Sequence, residues 1–170
     1  MSFIMEETNP LNEESDLEIF KKDYNAFKNK YNLPEFSKLN ELFEIEDIEN
    51  CETEFLLRKI RKLIADKLSA YLRFIEVILN PANAPMFFFR LIKKLEEEDR
   101  KKLNEVYEEF GNLEVYAVRL DLDYNEEKEA EFIKKLFYKF EEVKKDILKI
   151  VEKMGNGGDR KVDRERSYFG

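Results

Sequence analysis

The chain contains no histidine, and this absence excludes most familiar catalytic centres. Ser-His-Asp and Cys-His systems use an imidazole as general base, so neither can be built within one chain. Zinc sites made from cysteine and histidine are excluded as well, because Cys51 is the only cysteine. A ferritin-like di-iron site also needs histidine, in its Glu-x-x-His pairs.

Glycine is nearly as scarce, since Gly111 is the only one before Gly155. A phosphate-binding loop and a dinucleotide fingerprint each need several closely spaced glycines, so both are absent. Sheet proteins depend on Gly, Pro, Asn and Asp at their turns. A chain poor in glycine and rich in Leu, Lys and Glu therefore predicts an all-α fold.

Long apolar runs and export signals are also missing. No stretch approaches the roughly 20 apolar residues that a membrane-spanning helix needs, and the N-terminus lacks the basic start of a signal peptide. One cysteine excludes an intrachain disulfide, which suits a reducing compartment. We therefore predict a cytoplasmic protein without a transmembrane segment.

The 170 residues fit one domain, and the net charge of −8 repels nucleic acid at long range. We predict a flexible arm over 1–12, a single helical domain over 13–154 and a disordered tail over 155–170, where glycines and mixed charges concentrate. Tyr168 and Phe169 in this tail leave a second interpretation open, a short linear motif that docks.

Apolar residues spaced three and four apart predict a bundle of five or six helices. Ser15 and Glu18 form a capping-box pattern, so the first helix should begin there and end near Pro34. A short helix over 36–43, an acidic connector over 44–50 and a long helix over 52–79 should follow. Pro85 should lie in the first turn of the next helix.

Two matched apolar seams predict a C-terminal antiparallel αα-hairpin with Asn125 as N-cap. Gly111 in its first arm indicates a close helix crossing or a kink. Residues 118–124 alternate with period two, which leaves a strand open there. The seams are Leu103, Val106, Phe110, Leu113, Ala117, Leu120 and Tyr124, and Ile133, Leu136, Phe140, Val143, Ile147, Ile150 and Met154.

In the stretch NPANAPMFFFRLIKKL, residues 80–95, the part from Met86 onward has an apolar arc of about 200° when wound as a helix, with its charges on one narrow face. An ordinary surface helix needs little more than about 100°. Three interpretations follow: a helix deep in its own core, a helix whose edge docks a partner or a second copy, or one inserted at a membrane surface. The candidate partner surface is Met86, Phe87 and Phe89.

Basic residues cluster at Arg58, Lys59, Arg61 and Lys62, the candidate nucleic-acid patch, with a second group over 90–102. Exposed i,i+4 ion pairs are the alternative explanation. Acidic residues cluster over 96–99 and at Asp121 and Asp123. These read as helix starts and a turn, and a carboxylate-based enzyme is the weaker interpretation. We predict no catalytic residue, no metal site and no cofactor.

The stretch FLLRKIRKLIADKLSAYLRFIEVILNPANAP, residues 55–85, resembles a family of short helical proteins from archaeal genomes, as do 33–49 and 129–137. The resemblance covers about residues 33–150 and implies a cytoplasmic archaeal protein with no assigned activity. We predict a non-enzymatic interaction module with a protein partner or self-association. A nucleic-acid- or ribosome-associated factor is the alternative.

Overall fold

Six α-helices and two short 3₁₀ turns form the computed structural model of the chain, which describes residues 15–48 and 55–155. No strand occurs in these residues, so the predicted all-α bundle is confirmed. The predicted arm over 1–12 and the tail beyond Gly155 lie outside the described residues. The helices are α1 Asp16–Tyr31, α2 Phe36–Phe43, α3 Leu56–Leu79, α4 Met86–Ile92, α5 Glu97–Leu122 and α6 Glu126–Gly155.

The core forms where α3, α5 and α6 pack against one another. Apolar side chains of α3 and both seams of the C-terminal hairpin face it, except Tyr124, which lies beyond the end of α5. The antiparallel hairpin is confirmed. The ring of Phe140 lies in this core. Three other rings have centroids 4.9 to 5.3 Å from it, those of Phe43, Tyr71 and Phe110.

Capping signals place the helix starts. The Ser15 hydroxyl accepts a hydrogen bond from the Glu18 amide at 3.4 Å, and the Asn125 side chain accepts one from the Lys128 amide at 2.9 Å. Each bond satisfies an amide that has no partner inside its helix. Both predicted helix starts are therefore confirmed.

Helix α1 packs against α2 and α6, and α2 packs against α3 with its Phe43 ring 5.3 Å from the Phe140 ring. Helix α1 ends three residues before Pro34, where Asn32 adopts a left-handed conformation with φ of 53°. The Tyr24 hydroxyl then donates to the Pro34 carbonyl at 2.7 Å, and burial raises the pKa of Tyr24. This bond satisfies a buried hydroxyl and joins α1 to the loop before α2.

Several local predictions differ from the structure. Residues 118–122 are helical, so the strand alternative is wrong. Pro85 precedes α4 as its N-cap instead of lying in the first turn. In the described part of the acidic connector, Ile45 starts a 3₁₀ turn and is fully buried.

Of the two alternatives predicted at Gly111, the close helix crossing is wrong, and the kink stays a prediction. A Cβ built on this residue would meet no atom within 4 Å beyond its chain neighbours and its own helix backbone, and α5 runs through the position.

No helix in the described ranges is both long and apolar enough to span a membrane.

Candidate interaction surface on helix α4 and the buried arginine of α3

Helix α4 is attached to the domain through the centre of its apolar arc. Ile92 and the following Leu95 are 3% and 7% exposed. Phe88 and Leu91 are partly buried and pack against the same core. The first interpretation, a helix that packs into its own core, therefore describes this face of α4.

Two cations hold the C-terminal end of α4. Arg100 donates to the Ile92 carbonyl at 3.1 Å. Lys94 Nζ donates to the carbonyl of Met154, near the end of α6, at 2.8 Å. Both acceptors are carbonyls in the last turn of a helix, where intrahelical donors run out. The ends of α4 and α6 therefore lie side by side.

The N-terminal end of α4 leaves two large apolar side chains in solvent. Met86 is 85% exposed and Phe87 is 58% exposed. The Phe87 ring contacts the half-buried Phe88 ring, with centroids 4.6 Å apart. Phe89, the third residue of the candidate partner surface, is half-buried. Phe87 is therefore the more exposed edge of the arc, and partner binding stays a prediction.

Two exposed cations lie on the same side of α4. Arg90 and Lys93 fall within about 60° of Met86 around the helix, one and two turns further along. We call Met86, Phe87, Arg90 and Lys93 the α4 surface. It combines an apolar pair with two positive charges.

Arg61 is not at the surface of the candidate nucleic-acid patch. Its side chain is 1% exposed on the core side of α3. Its Nε donates to Glu129 Oε2 on α6 at 2.8 Å, and its Nη2 donates to Asp121 Oδ1 on α5 at 2.7 Å. Arg61 thus joins the three long helices, and a phosphate could reach it only after these bonds break.

The other residues of the candidate nucleic-acid patch lie around Arg61 and its two carboxylate partners. Arg58 donates to the Asp121 carbonyl at 2.9 Å, and its guanidinium lies 5.7 Å from the centre of the Tyr124 ring. Lys59 is half-buried, whereas Lys62 is exposed with its Nζ 4.0 Å from Asp121 Oδ1. Carboxylates on α5 and α6 thus neutralise part of the positive charge, and nucleic-acid binding stays a prediction.

The charges of Arg61, Asp121 and Glu129 stabilise one another. Burial acts to lower the pKa of Arg61, but the bonds to Asp121 and Glu129 outweigh it and raise that pKa. The hydrogen bond from Arg61 lowers the pKa of Asp121, the opposite of what a general acid needs. Glu129 is fully buried, and its Oε1 has no hydrogen-bond partner among the described groups. The hydrogen-bonding capacity of the buried Arg61–Glu129 pair is therefore only partly used.

A groove of about 320 Å³ runs between α3 and α5 above Arg61. Four of its polar side chains are already paired, since Ser69 Oγ donates to Glu114 Oε1 at 2.6 Å and Arg61 donates to Asp121 Oδ1 at 2.7 Å. Within the described ranges, no group of three or more carboxylate or cysteine side chains is arranged to hold a metal ion.

The acidic cluster over 96–99 begins a helix, as its interpretation predicts. Glu96 and Asp99 form a capping box at the start of α5. Asp99 is 8% exposed, and Lys153 near the end of α6 donates to both of its carboxylate oxygens at 2.8 and 2.9 Å. This bond lowers the pKa of Asp99 and raises that of Lys153. The bond between Asp99 and Lys153 thus joins the start of α5 to the end of α6.

A second exposed apolar stripe lies on α5 and was not identified from the sequence. Val115, Val118 and Leu122 are 58%, 54% and 85% exposed, and Val118 also lines the groove between α3 and α5. Their spacing of three and four residues is the same signal that defines the buried seam. This stripe supplies matched control positions for the α4 surface.

No family model, no curated protein and no solved structure matches this chain. The resemblance to archaeal helical proteins is therefore left as a prediction. The chain is a small all-helical protein, and the comparisons identify no family for it.

Proposed function

We propose that the protein is a non-enzymatic interaction module, an adaptor or regulatory subunit, that binds a protein partner through the α4 surface. The exposure of Met86 and Phe87, on a helix whose Phe88, Leu91 and Ile92 pack against the core, carries this proposal. Grouped exposed apolar side chains often mark binding sites. Burying one Met or Phe side chain fully contributes about 1.5–3 kcal/mol, enough for the pair to anchor an interface.

The charges of the α4 surface indicate the chemistry of the partner. Arg90 and Lys93 are exposed one and two turns beyond the apolar pair, on the same side of α4. A partner that places an apolar side chain on Phe87 and carboxylates beside it would match both features. Its association rate should fall as salt rises, because exposed charges are screened over about 8 Å at physiological ionic strength.

The proposal is tested with the full chain as bait in cytoplasmic extract of native cells, a cytoplasmic location being part of the proposal. Three baits are compared: the unchanged chain, Phe87→Asp and Val115→Asp. Phe87 and Val115 are equally exposed at 58%, so each variant places one charge on an exposed apolar site. A protein that survives nuclease treatment, is lost with Phe87→Asp and is kept with Val115→Asp supports the α4 surface.

Two other outcomes would contradict the proposal. A protein lost with Val115→Asp and kept with Phe87→Asp would place the interface on the α5 stripe. Captured material that disappears after nuclease treatment would favour nucleic acid. Circular dichroism of all three baits controls for folding, since surface substitutions usually change stability by less than about 0.5 kcal/mol.

Nucleic-acid binding by the α3 patch is the second proposal. Lys62 is its exposed cation, and Arg58 and Arg61 are engaged with α5. Binding should weaken steeply with salt, and Lys62→Glu should reduce both the affinity and the salt slope. Unchanged RNA and DNA binding by this variant would exclude the patch.

A further inference from the structure

The described part of the chain ends beside the C-terminal end of α4. Helix α6 ends at Gly155, and the neighbouring Met154 carbonyl accepts the hydrogen bond from Lys94 at 2.8 Å. Phe87 lies about two helical turns before Lys94, or about 11 Å along the chain axis. Residues 156–167 can span up to about 40 Å when extended. The segment that follows Gly155 can therefore reach every part of the α4 surface.

The segment over 156–170 also carries aromatic side chains suited to packing on Met86 and Phe87. Tyr168 and Phe169 are its only aromatic residues, and they are adjacent. Aromatic rings gain from contact with other rings beyond the apolar area they bury, and a tyrosine keeps its hydroxyl in water while doing so. We propose that Tyr168 and Phe169 dock on Met86 and Phe87, so that residues 156–170 of the chain itself cover the α4 surface.

This inference rests on the proposed function in one respect, the consequence for partner binding. A segment tethered next to its site acts at an effective concentration of about a millimolar. Even a weak contact would then occupy the site for much of the time. A partner must displace the segment, so Tyr168→Ser with Phe169→Ser should strengthen partner binding a few-fold.

Docking itself is tested without a partner, by paramagnetic broadening in the full chain. Cys51→Ser and Ser167→Cys provide one attachment site for a nitroxide, next to the aromatic pair. The amide signals of 86–89 should be broadened. The matched control keeps the label and the tether but carries Tyr168→Ser and Phe169→Ser. In this control the broadening should fall sharply.

Several outcomes would overturn the proposal. Equal broadening in the control would mean that the tether alone brings the label near α4. Broadening that appears only between labelled and unlabelled copies would assign the α4 surface to a second copy. A label at Ser2→Cys that broadens 86–89 when the Ser167 label does not would assign it to the N-terminal segment.

The two proposals fail separately. If Tyr168 and Phe169 dock but Phe87→Asp captures the same proteins as the unchanged chain, the α4 surface binds only its own segment. If Phe87→Asp loses the partner but the Ser167 label gives the same broadening with and without the aromatic pair, the docking proposal alone is overturned. Comparing the broadening of 86–89 in the labelled chain and in its control, each at low concentration, decides whether Tyr168 and Phe169 dock.

Discussion

Replacing Arg61 with methionine should destabilise the domain strongly. Arg61 Nε donates to Glu129 Oε2 at 2.8 Å, with side-chain exposures of 1% and 0%. Without Arg61, the Glu129 carboxylate is left buried and uncompensated. Breaking a buried ion pair from one side costs about 3–5 kcal/mol. In a domain of this size that lowers the melting temperature by about 6–20 °C.

Removing both charges should cost much less. Arg61→Met with Glu129→Leu replaces the pair by apolar side chains of similar size, a change that is often neutral or stabilising in a buried site. Asp121→Asn is the matched control for the outer bond. The Asp121 side chain is 45% exposed, so this variant should lose no more than about 1 kcal/mol.

Urea unfolding followed by circular dichroism gives the free energy of unfolding for all four proteins. The predicted result is a large loss for Arg61→Met and a substantial recovery in the double variant. A loss below about 1 kcal/mol for the single variant, with additive effects in the double, would mean that Arg61 and Glu129 are not coupled as a buried ion pair. Arg61 would then be solvated and accessible, as the nucleic-acid hypothesis requires.

Three further outcomes are expected. Phe87→Asp should change the free energy of unfolding by less than about 0.5 kcal/mol, whereas Ile92→Asp, which buries a charge, should prevent stable folding in the same urea assay. Lys153 lowers the pKa of Asp99, so their bond stabilises the domain above the ordinary aspartate pKa, and this stabilisation is lost as pH falls through the lowered value. Lys153→Met removes the bond, so its urea midpoint should fall less than that of the unchanged chain as pH is lowered below about 5. Gly111→Ala should raise stability by about 0.5–1 kcal/mol in thermal melts, because the new methyl group meets no neighbouring atom within 4 Å.

Features that depend on neighbouring residues in the chain could be predicted. Ser15 and Asn125 cap helices through amides three residues away, so their roles are visible in the sequence. The two seams of the hairpin were visible for the same reason, since each pattern repeats within one helix. Gly111 was misread because its surroundings depend on how helices pack, and no residue pattern in α5 reports that.

Arg61 was predicted as part of a surface patch because it is surrounded by Arg58, Lys59 and Lys62 in the chain. Its angle around α3 indicates otherwise. Counted from Leu57, Arg61 lies at about 40°, between Leu68 at about 20° and Leu72 at about 60°. A cation within an apolar stripe needs a buried partner. Glu129 carries the matching signal, four residues before the seam residue Ile133.

Which edge of the α4 arc is exposed could not be predicted. Phe87 and Phe89 lie on opposite sides of Phe88, and the pattern within the helix treats them alike. The choice depends on where α6 and the start of α5 lie. Lys94 and Arg100 fix that orientation through single backbone carbonyls, which leave no periodic trace in the sequence.

Whether a protein binds to the α4 surface, as proposed, is tested by photo-crosslinking in native cells. A benzophenone side chain is placed at Phe87 in one sample and at Val115 in another, two positions of equal exposure at 58%. We expect a nuclease-resistant crosslinked protein from Phe87 and none from Val115. Crosslinks to the same proteins from both positions, or from Val115 alone, would contradict it.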